Sequence, residues 1–381
     1  MPASYPTSAK SFSAKLNGDV IAVGHVTDLE AEVTAVETAL VAGLPVTHGG
    51  TGVTTRTAYG VIVGGTTATG ATQTVTPGTS GYLLTSGGAS AVPTWAAAAT
   101  VVTPTNVCNG RLTLTSVTPF TTSVSAATTL FFTPYEGNQI ALYDGSSTWN
   151  VRTLTEISIT LVGLTASKPY DVWVYDNAGT PTLELLVWTN DTTRATALTT
   201  QDGVYVKTGA TTRRYVGTIY IDSGGGAVSD TYLLRHVYNA YNRESRAMRR
   251  LSATGSWTYS INTKRQANAD TANQLSFMDG LGETAVSARL IAVAQNTSQA
   301  VINVGIGLDS TSVFATGDLS SEVSTPAAGQ TFVIAQWTGF PGVGRHTLVW
   351  LEAAQAVGTT TWYGAGGGQY AQSGISAEVM G

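Results

Sequence analysis

Charged residues are scarce in this chain. They make up 11% of its 381 residues, and the net charge is −5. An ordinary soluble protein carries about 25% charged residues, so this surface must depend on hydroxyl groups more than on ions. Binding of nucleic acid requires a basic surface that neutralises phosphates, and the composition offers none. We therefore expect no nucleic-acid partner.

Cysteine and histidine are also rare. Cys108 is the single cysteine, which excludes a disulfide framework within the chain and a four-thiolate metal site. Four histidines fall in four separate segments: His25, His48, His236 and His346. A metal site on one chain is not expected, although His25 or His48 could meet symmetry mates on a threefold axis. We predict no cofactor, no metal, and a packed rather than reactive Cys108.

Long apolar runs are missing. The start, MPASYPTSAKSF, lacks the basic and continuous apolar regions of a secretory signal. No segment approaches the ~20 apolar residues of a membrane-spanning helix. The sequence thus predicts a chain made in the cytoplasm, without membrane insertion.

Glycine, threonine and valine are abundant instead, with 42 Gly and 43% hydrophobic residues in total. Thr and Val favour pleated backbone, and Gly supplies tight turns. This much apolar content with low net charge argues against disorder. The composition predicts a mainly β protein.

One helix is predicted near the start. Thr27 followed by Glu30 matches a capping box, and Gly43 with Pro45 would stop the helix. An apolar stripe recurs at spacings of three and four: Val26, Leu29, Val33, Val36 and Leu40. Such a short helix needs a partner in water, and β-branched residues in the stripe favour three strands. We predict a trimeric coiled coil within residues 1–45; the alternative is that the stripe packs on a β domain of its own chain.

Residues 46–105 are rich in glycine and almost free of charge. Short apolar strands lie between the glycine turns, and one chain offers them no core. Intertwining with sister chains would bury them. Three motifs, HGGTG at 48–52, AYGVIVGGTTATG at 58–70 and PGTSGYLLTSGGASAVPTW at 77–95, resemble the shaft modules of phage tail fibre proteins.

This resemblance implies a structural protein of a phage virion. Residues 1–45 would attach to other virion proteins and start a homotrimer, and residues 46–105 would form the shaft. FTPYEGNQIALYDG and TNDTTRATALTTQDGVYVKTGATTRRYVGT also resemble a domain of phage and prophage structural proteins. The chain would then lie on the virion exterior.

Alternating strands with Asp-Gly turns predict a β-sandwich over residues 106–234 and a jelly-roll-like tip domain over residues 256–381. An arginine-rich connector over 235–255 would join them. Its arginines could bind phosphate on a host glycan, but we favour pairing with carboxylates across the trimer interface: Arg243, Arg246, Arg249 and Arg250.

Adhesion to a host-surface glycan or protein is the expected activity, because three weak tip contacts on one particle act together. Aromatic residues beside GAGGG are the candidate contacts: Trp362, Tyr363 and Tyr370. Trp350 lies in an alternating strand and is expected in the core. We expect no enzyme, but two alternatives stay open within the virion, a head fibre or decoration protein and a polysaccharide-degrading spike. A bacterial surface adhesin is a third.

A degrading spike would need two carboxylates at a suitable separation. Eight acidic residues are candidates for that role: Asp144, Asp171, Asp176, Glu184, Asp279, Glu283, Asp309 and Glu352. Most stand in turn-like contexts, where the side chain bonds its own backbone.

Overall fold

The computed structural model describes residues 20, 22–42, 46, 49–98, 104–365 and 372–381. The chain divides into two compact units, Met1–Val102 and Thr103–Gly381. Its described part is mainly β with one N-terminal α-helix, which confirms the predicted fold class at that level. Within the described part of the chain, no helix combines the length and apolar character needed to cross a membrane.

The helix, α1, spans Val23–Val41 and is followed by Ala42 at its C-cap. The predicted helix is confirmed, but its predicted cap is wrong. Thr27 lies inside the helix, where its hydroxyl donates to the carbonyl of Val23 at 3.2 Å, and such back-bonding removes it from a capping role. At the true start, the N–H of Ala22 donates to Nδ1 of His25 at 3.2 Å. The expected stop residues Gly43 and Pro45 lie outside the described residues. Residues 1–19 of the expected attachment segment also lie outside them.

Two small antiparallel hairpins complete the first unit. Their strands are β1 Val61–Val63, β2 Gln73–Val75, β3 Tyr82–Thr85 and β4 Thr94–Ala97. β1 pairs with β2, and β3 pairs with β4. In the second hairpin the indole N–H of Trp95 donates to the carbonyl of Thr76 at 2.7 Å, and the ring lies so close to Gly78 that a side chain there would collide with it. Isolated two-stranded hairpins are at best marginally stable, and none of the described residues of this unit is a buried core residue.

The second unit holds the other 25 strands of the described residues. In its first half they are β5 Gly110–Thr113, β6 Val124–Ala127, β7 Thr129–Pro134, β8 Gln139–Tyr143, β9 Trp149–Thr153, β10 Ile157–Thr160, β11 Lys168–Asn177, β12 Thr180–Val187, β13 Leu198–Gln201, β14 Val204–Lys207, β15 Ala210–Ile221, β16 Val228–Asp230, β17 Leu234–Arg235 and β18 Val237–Asn239. In its second half they are β19 Ser245–Leu251, β20 Ser256–Thr258, β21 Arg265–Gln266, β22 Gln274–Asp279, β23 Val286–Asn296, β24 Ala300–Leu308, β25 Leu319–Thr325, β26 Gln330–Gly339, β27 Gly344–Ala354, β28 Thr360–Tyr363 and β29 Gly374–Met380. A short 3-10 turn, Ala267–Ala269, precedes β22.

Long-range pairing joins these strands into several sheets. β12, β11, β15, β14 and β13 lie side by side in that order, with β18 beside β15. A larger sheet runs β19, β29, β23, β26, β25, β24, β27, β22, β17, β16, β6. β10, β7 and β5 form a third sheet, and β8 and β9 form a hairpin. The hairpin turn at Asp144 is fixed by its carboxylate, which accepts three backbone N–H bonds, including that of Ser146 at 2.8 Å.

Two main hydrophobic clusters fill this unit. One lies between strands of residues 108–237 and includes Leu112, Phe132 and Val172. The other lies between strands of residues 248–379 and includes Trp350 and Trp362. Trp350 is fully buried, as expected of a core residue.

The predicted boundaries at 106–234, 235–255 and 256–381 stay predictions, but the sheet connects all three stretches. β17 pairs in parallel with β22 through Leu234 and Ser276. The expected connector contributes β18 and β19, and β19 pairs with the C-terminal strand β29 along its whole length. Thr103–Gly381 is accordingly one compact unit.

Candidate functional site

The apolar stripe of α1 is exposed in the single chain. α1 has no buried residue. Four members of the stripe have exposed fractions of 46–57%, and Val36 is half-buried; the four are Val26, Leu29, Val33 and Leu40. A helix of this length gains most of its stability from burying such a face. The described residues of one chain leave this face largely uncovered.

The hairpins of the same unit also expose apolar side chains. Tyr59 is 97% exposed, and all four residues of β3, including Leu83, are exposed. All of these residues belong to the glycine-rich stretch predicted to intertwine with sister chains.

A polar groove of about 530 Å³ lies on the second unit, over the outer face of β27, β24 and β25. We call it the β24–β25 groove. Its polar lining consists of Asn262, Lys264, Asn303, Ser320, Glu322 and Gln355. In the strand register, Asn303 stands between Glu322 on one side and Ala353 on the other, so these side chains share one face. The volume falls within the range of about 300–1,000 Å³ that is common for small-molecule sites.

Glycine in β24 positions one wall of this groove. A Cβ on Gly305 would lie 2.4 Å from the ring of Phe314 and 2.7 Å from the Asp318 carboxylate. Only glycine lets the β24–β25 loop fold back onto the strand at this point. Phe314 then faces the groove, with the Lys264 ammonium 4.0 Å from its ring centroid.

Two amide side chains of the groove are fixed at one end. Nδ2 of Asn303 donates to the carbonyl of Ser321 at 3.0 Å, and Oε1 of Gln355 accepts from the N–H of Val301 at 3.2 Å. This leaves Oδ1 of Asn303 as an acceptor and Nε2 of Gln355 as a donor. The groove therefore presents both kinds of hydrogen-bonding group in held positions.

Asp318 stands beside the groove in an unfavourable setting for a charge. Both carboxylate oxygens lie out of solvent contact without a hydrogen bond of normal geometry. Burial raises the pKa of Asp318 to about 6, opposed in part by the Ile306 amide and the Lys264 ammonium.

The predicted aromatic contacts need correction. Trp362 is fully buried in β28, which pairs with both β20 and β23, and its indole N–H donates to the carbonyl of Tyr259 at 3.1 Å. It is a core residue and not an exposed tip contact, because its side chain packs into the hydrophobic cluster of residues 248–379. Tyr363 is half-buried, and its hydroxyl bonds Oε1 of Gln295 at 2.8 Å. Tyr370 lies outside the described residues.

The predicted interface arginines mostly find partners in their own chain. Arg246 is 4% exposed and binds the Asp230 carboxylate at 2.5 Å, so its assignment to a trimer interface is wrong. The other three contact partly exposed groups. Arg243 pairs with Glu283 at 3.1 Å, Arg250 approaches Asp270 at 3.7 Å, and Arg249 lies over the ring of Tyr232.

Each of the eight candidate carboxylates for glycan cleavage has an ion-pair or hydrogen-bond partner in the described part of the chain. Asp171, Asp176, Glu184, Glu283 and Glu352 pair with arginine or lysine. Asp144 and Asp279 accept backbone N–H bonds in turns, and Asp309 bonds His346 at 2.7 Å. Oδ2 of Asp279 is buried without a hydrogen-bond partner.

A buried chain of hydrogen bonds has the connectivity of a catalytic triad. Nδ1 of His236 bonds the Asp222 carboxylate, and Nε2 bonds Oγ of Ser276 at 2.9 Å. However, His236 and Ser276 are 4% and 5% exposed. A nucleophile requires access to substrate. This chain of bonds ties the segments that follow β15 and β17 to β22.

The described part of the chain contains neither a cluster of metal ligands nor a reactive thiol. No group of three or more His, Cys, Asp or Glu side chains there could hold a metal ion. Cys108 is buried, and desolvation raises the pKa of its thiol to about 11, against the smaller effect of Arg214. Such a thiol is inert.

The sequence does not predict this groove, because the lining residues are spread over more than 90 positions of the chain. The one local signal is the pair of alternating glycines in VINVGIGLD, Gly305 and Gly307, since glycine inside a strand marks a close approach of other atoms.

Comparisons with known proteins add little. No protein-family model matches the sequence, and no curated protein matches it. Among solved structures, BuGH86 in complex with neoagarooctaose has 8% identity and a TM-score of 0.21, over 68% of this chain and 33% of that chain. The insecticidal delta-endotoxin Cry8Ea1 from Bacillus thuringiensis has 8% identity and a TM-score of 0.21, over 72% and 52%. Infectious bursal disease virus, Gx strain, has 10% identity and a TM-score of 0.23, over 69% and 78%. The chain spans about a third of the first of these structures, and likenesses at such TM-scores carry no argument.

Proposed function

We propose that this chain is a structural protein of a phage virion, a trimeric fibre or spike that projects from the particle and adheres to the host surface. In this scheme the first unit attaches to other virion proteins and joins three copies. The second unit forms two β-sandwiches, one around each main hydrophobic cluster, and faces outward.

The observation that carries the proposal is the exposed apolar stripe of α1. Four of its residues are close to half exposed or more in the single chain. Heptad spacing with Val at several positions favours a three-stranded coiled coil. The exposed residues of β3 would be covered by the same association. The shaft motifs of residues 48–95, which resemble those of tail fibres, agree with this arrangement.

Adhesion without catalysis suits the second unit. The eight candidate carboxylates for cleavage are held in ion pairs, hydrogen bonds or turns, and the buried Asp222–His236–Ser276 chain lacks access. Three copies of a weak binding surface on one particle would reinforce one another through high effective concentration.

Labelling native particles with an antibody against residues 256–381 tests this proposal. We expect label on the particle exterior, at the tail for a tail fibre or on the capsid for a head fibre or decoration protein. Absence of label from purified particles that contain the gene for this chain would reject the virion assignment.

A further inference from the structure

We propose that the β24–β25 groove binds neutral oligosaccharides. The inference rests on the proposed adhesive function and names the surface and the ligand class through which it would act. Three features of the groove lead to it: its balanced charge, its mixed donors and acceptors, and its apolar floor.

Charge decides against an acidic polymer. The lining carries one ammonium, Lys264, and one carboxylate, Glu322, so its formal charges cancel. Ligands with repeated anionic groups are bound by clusters of cations, commonly arginine in bidentate pairs. The groove has no arginine in its lining. A ligand without net charge fits this balance.

Sugar hydroxyls both donate and accept hydrogen bonds, and the groove offers both functions. Oδ1 of Asn303 and the Glu322 carboxylate accept, Nε2 of Gln355 and Lys264 donate, and the Ser320 hydroxyl does either. Asn303 and Gln355 are already held by bonds to the backbone. Less side-chain freedom is lost when a ligand binds groups that are fixed beforehand.

Apolar surface for the C–H side of a sugar ring lies between these polar groups. Val301 and Ala353 form part of the floor, and Phe314 forms a wall that Gly305 keeps against the strand. An aromatic or aliphatic surface surrounded by a few placed polar groups is the usual composition of a small-molecule site.

Binding of the full-length protein to immobilised oligosaccharides tests the inference. One set of probes consists of neutral hexose and N-acetylhexosamine oligosaccharides, and a second set carries uronic acids. The variants are Gln355→Ala and Lys264→Ala, both exposed in the groove, with Gln336→Ala on a different exposed sheet face as the matched control. Thermal unfolding of each variant confirms that it is folded.

We expect the wild-type protein to bind neutral probes, Gln355→Ala to bind them about tenfold more weakly, and Gln336→Ala to bind like wild type. Lys264→Ala should also weaken binding. Equal binding by Gln355→Ala and wild type, or binding by wild type to uronic-acid probes alone or to no probe, would overturn the inference.

These outcomes are separate from those of the proposed function. If the antibody labels the virion but the trimer does not bind neutral sugars, the proposal for the groove fails and the proposal of a virion appendage stands. A monomer absent from virions that binds neutral sugars through Gln355 would do the reverse.

Discussion

A buried carboxylate in the second unit offers a direct test of how this charge-poor protein is held together. Asp230 binds Arg235 at 3.0 Å and Arg246 at 2.5 Å, and the three side chains are 10%, 5% and 4% exposed. Arg111 is also buried. Its pKa is lowered first by burial and then by the nearby positive charge of Arg246. Asp230 thus pairs directly with two buried guanidinium groups, and Glu244 lies near Arg111 and Arg246.

Asp230→Asn keeps the shape of the side chain but removes its charge. Breaking a buried pair by neutralising one partner costs about 3–5 kcal/mol, because the other charge stays buried without compensation. Here two arginines lose their partner, although backbone carbonyls of Thr121 and Thr122 still accept from them. We therefore expect a loss of about 4 kcal/mol, which for a unit of this size lowers Tm by roughly 10 °C.

Urea unfolding followed by tryptophan fluorescence measures this loss. Asp191→Asn is the matched control, because Asp191 pairs with Arg345 at 3.6 Å and its side chain is 43% exposed. An exposed pair contributes about 0–1 kcal/mol, so the control should unfold almost like wild type.

A free energy of unfolding for Asp230→Asn within about 1 kcal/mol of wild type would refute the reasoning. It would mean that the guanidinium groups are hydrated or satisfied without Asp230. A comparable loss in Asp191→Asn would show instead that the substitution destabilises for reasons unrelated to burial.

Three further predictions concern the stripe, the groove and the core. Val33→Asp with Val36→Asp should dissociate the proposed trimer in sedimentation experiments, since charges would enter the proposed seam, while Thr34→Asp should leave the native mass unchanged. Asp318 holds its proton more tightly when folded, with a pKa of about 6 against an ordinary 3.8, so its contribution to stability falls as pH rises from about 4 to about 6. The shift corresponds to roughly 3 kcal/mol, which we reduce to about 1 kcal/mol because the side chain is only half-buried. The free energy of unfolding of Asp318→Asn should therefore be about 1 kcal/mol higher than that of wild type at pH 7 and almost the same at pH 4. A difference that does not change with pH would contradict this. Trp362→Ala should cost about 3–5 kcal/mol as a core deletion, and unchanged urea unfolding would contradict its burial.

Local patterns predicted the strands well. TLFFTPY, QIALYDG and HTLVWLEAA form β7, β8 and β27, and SGISAEVMG forms β29. Alternation and Asp-Gly turns act within a few residues, so the sequence alone reveals them. The helix was found for the same reason, but its start was misplaced because Thr27 and Glu30 match a capping box that the helix does not use.

Features that depend on distant pairing could not be predicted. The glycines of GAGGG predict an exposed loop around Trp362, but the residues that bury its side chain belong to strands far away in the sequence. The arginine-rich stretch predicts a partner in another chain for Arg246, but Asp230, 16 positions before it, binds it within the same chain. The groove combines Lys264, Asn303 and Gln355, which only the sheet order brings together.

The native mass of the full-length protein in solution tests the central claim most directly. One chain has a mass of 39.4 kDa. Self-association through α1 and the hairpins predicts a species of three times that mass at micromolar concentration. A stable, folded species of 39.4 kDa under the same conditions would contradict the account.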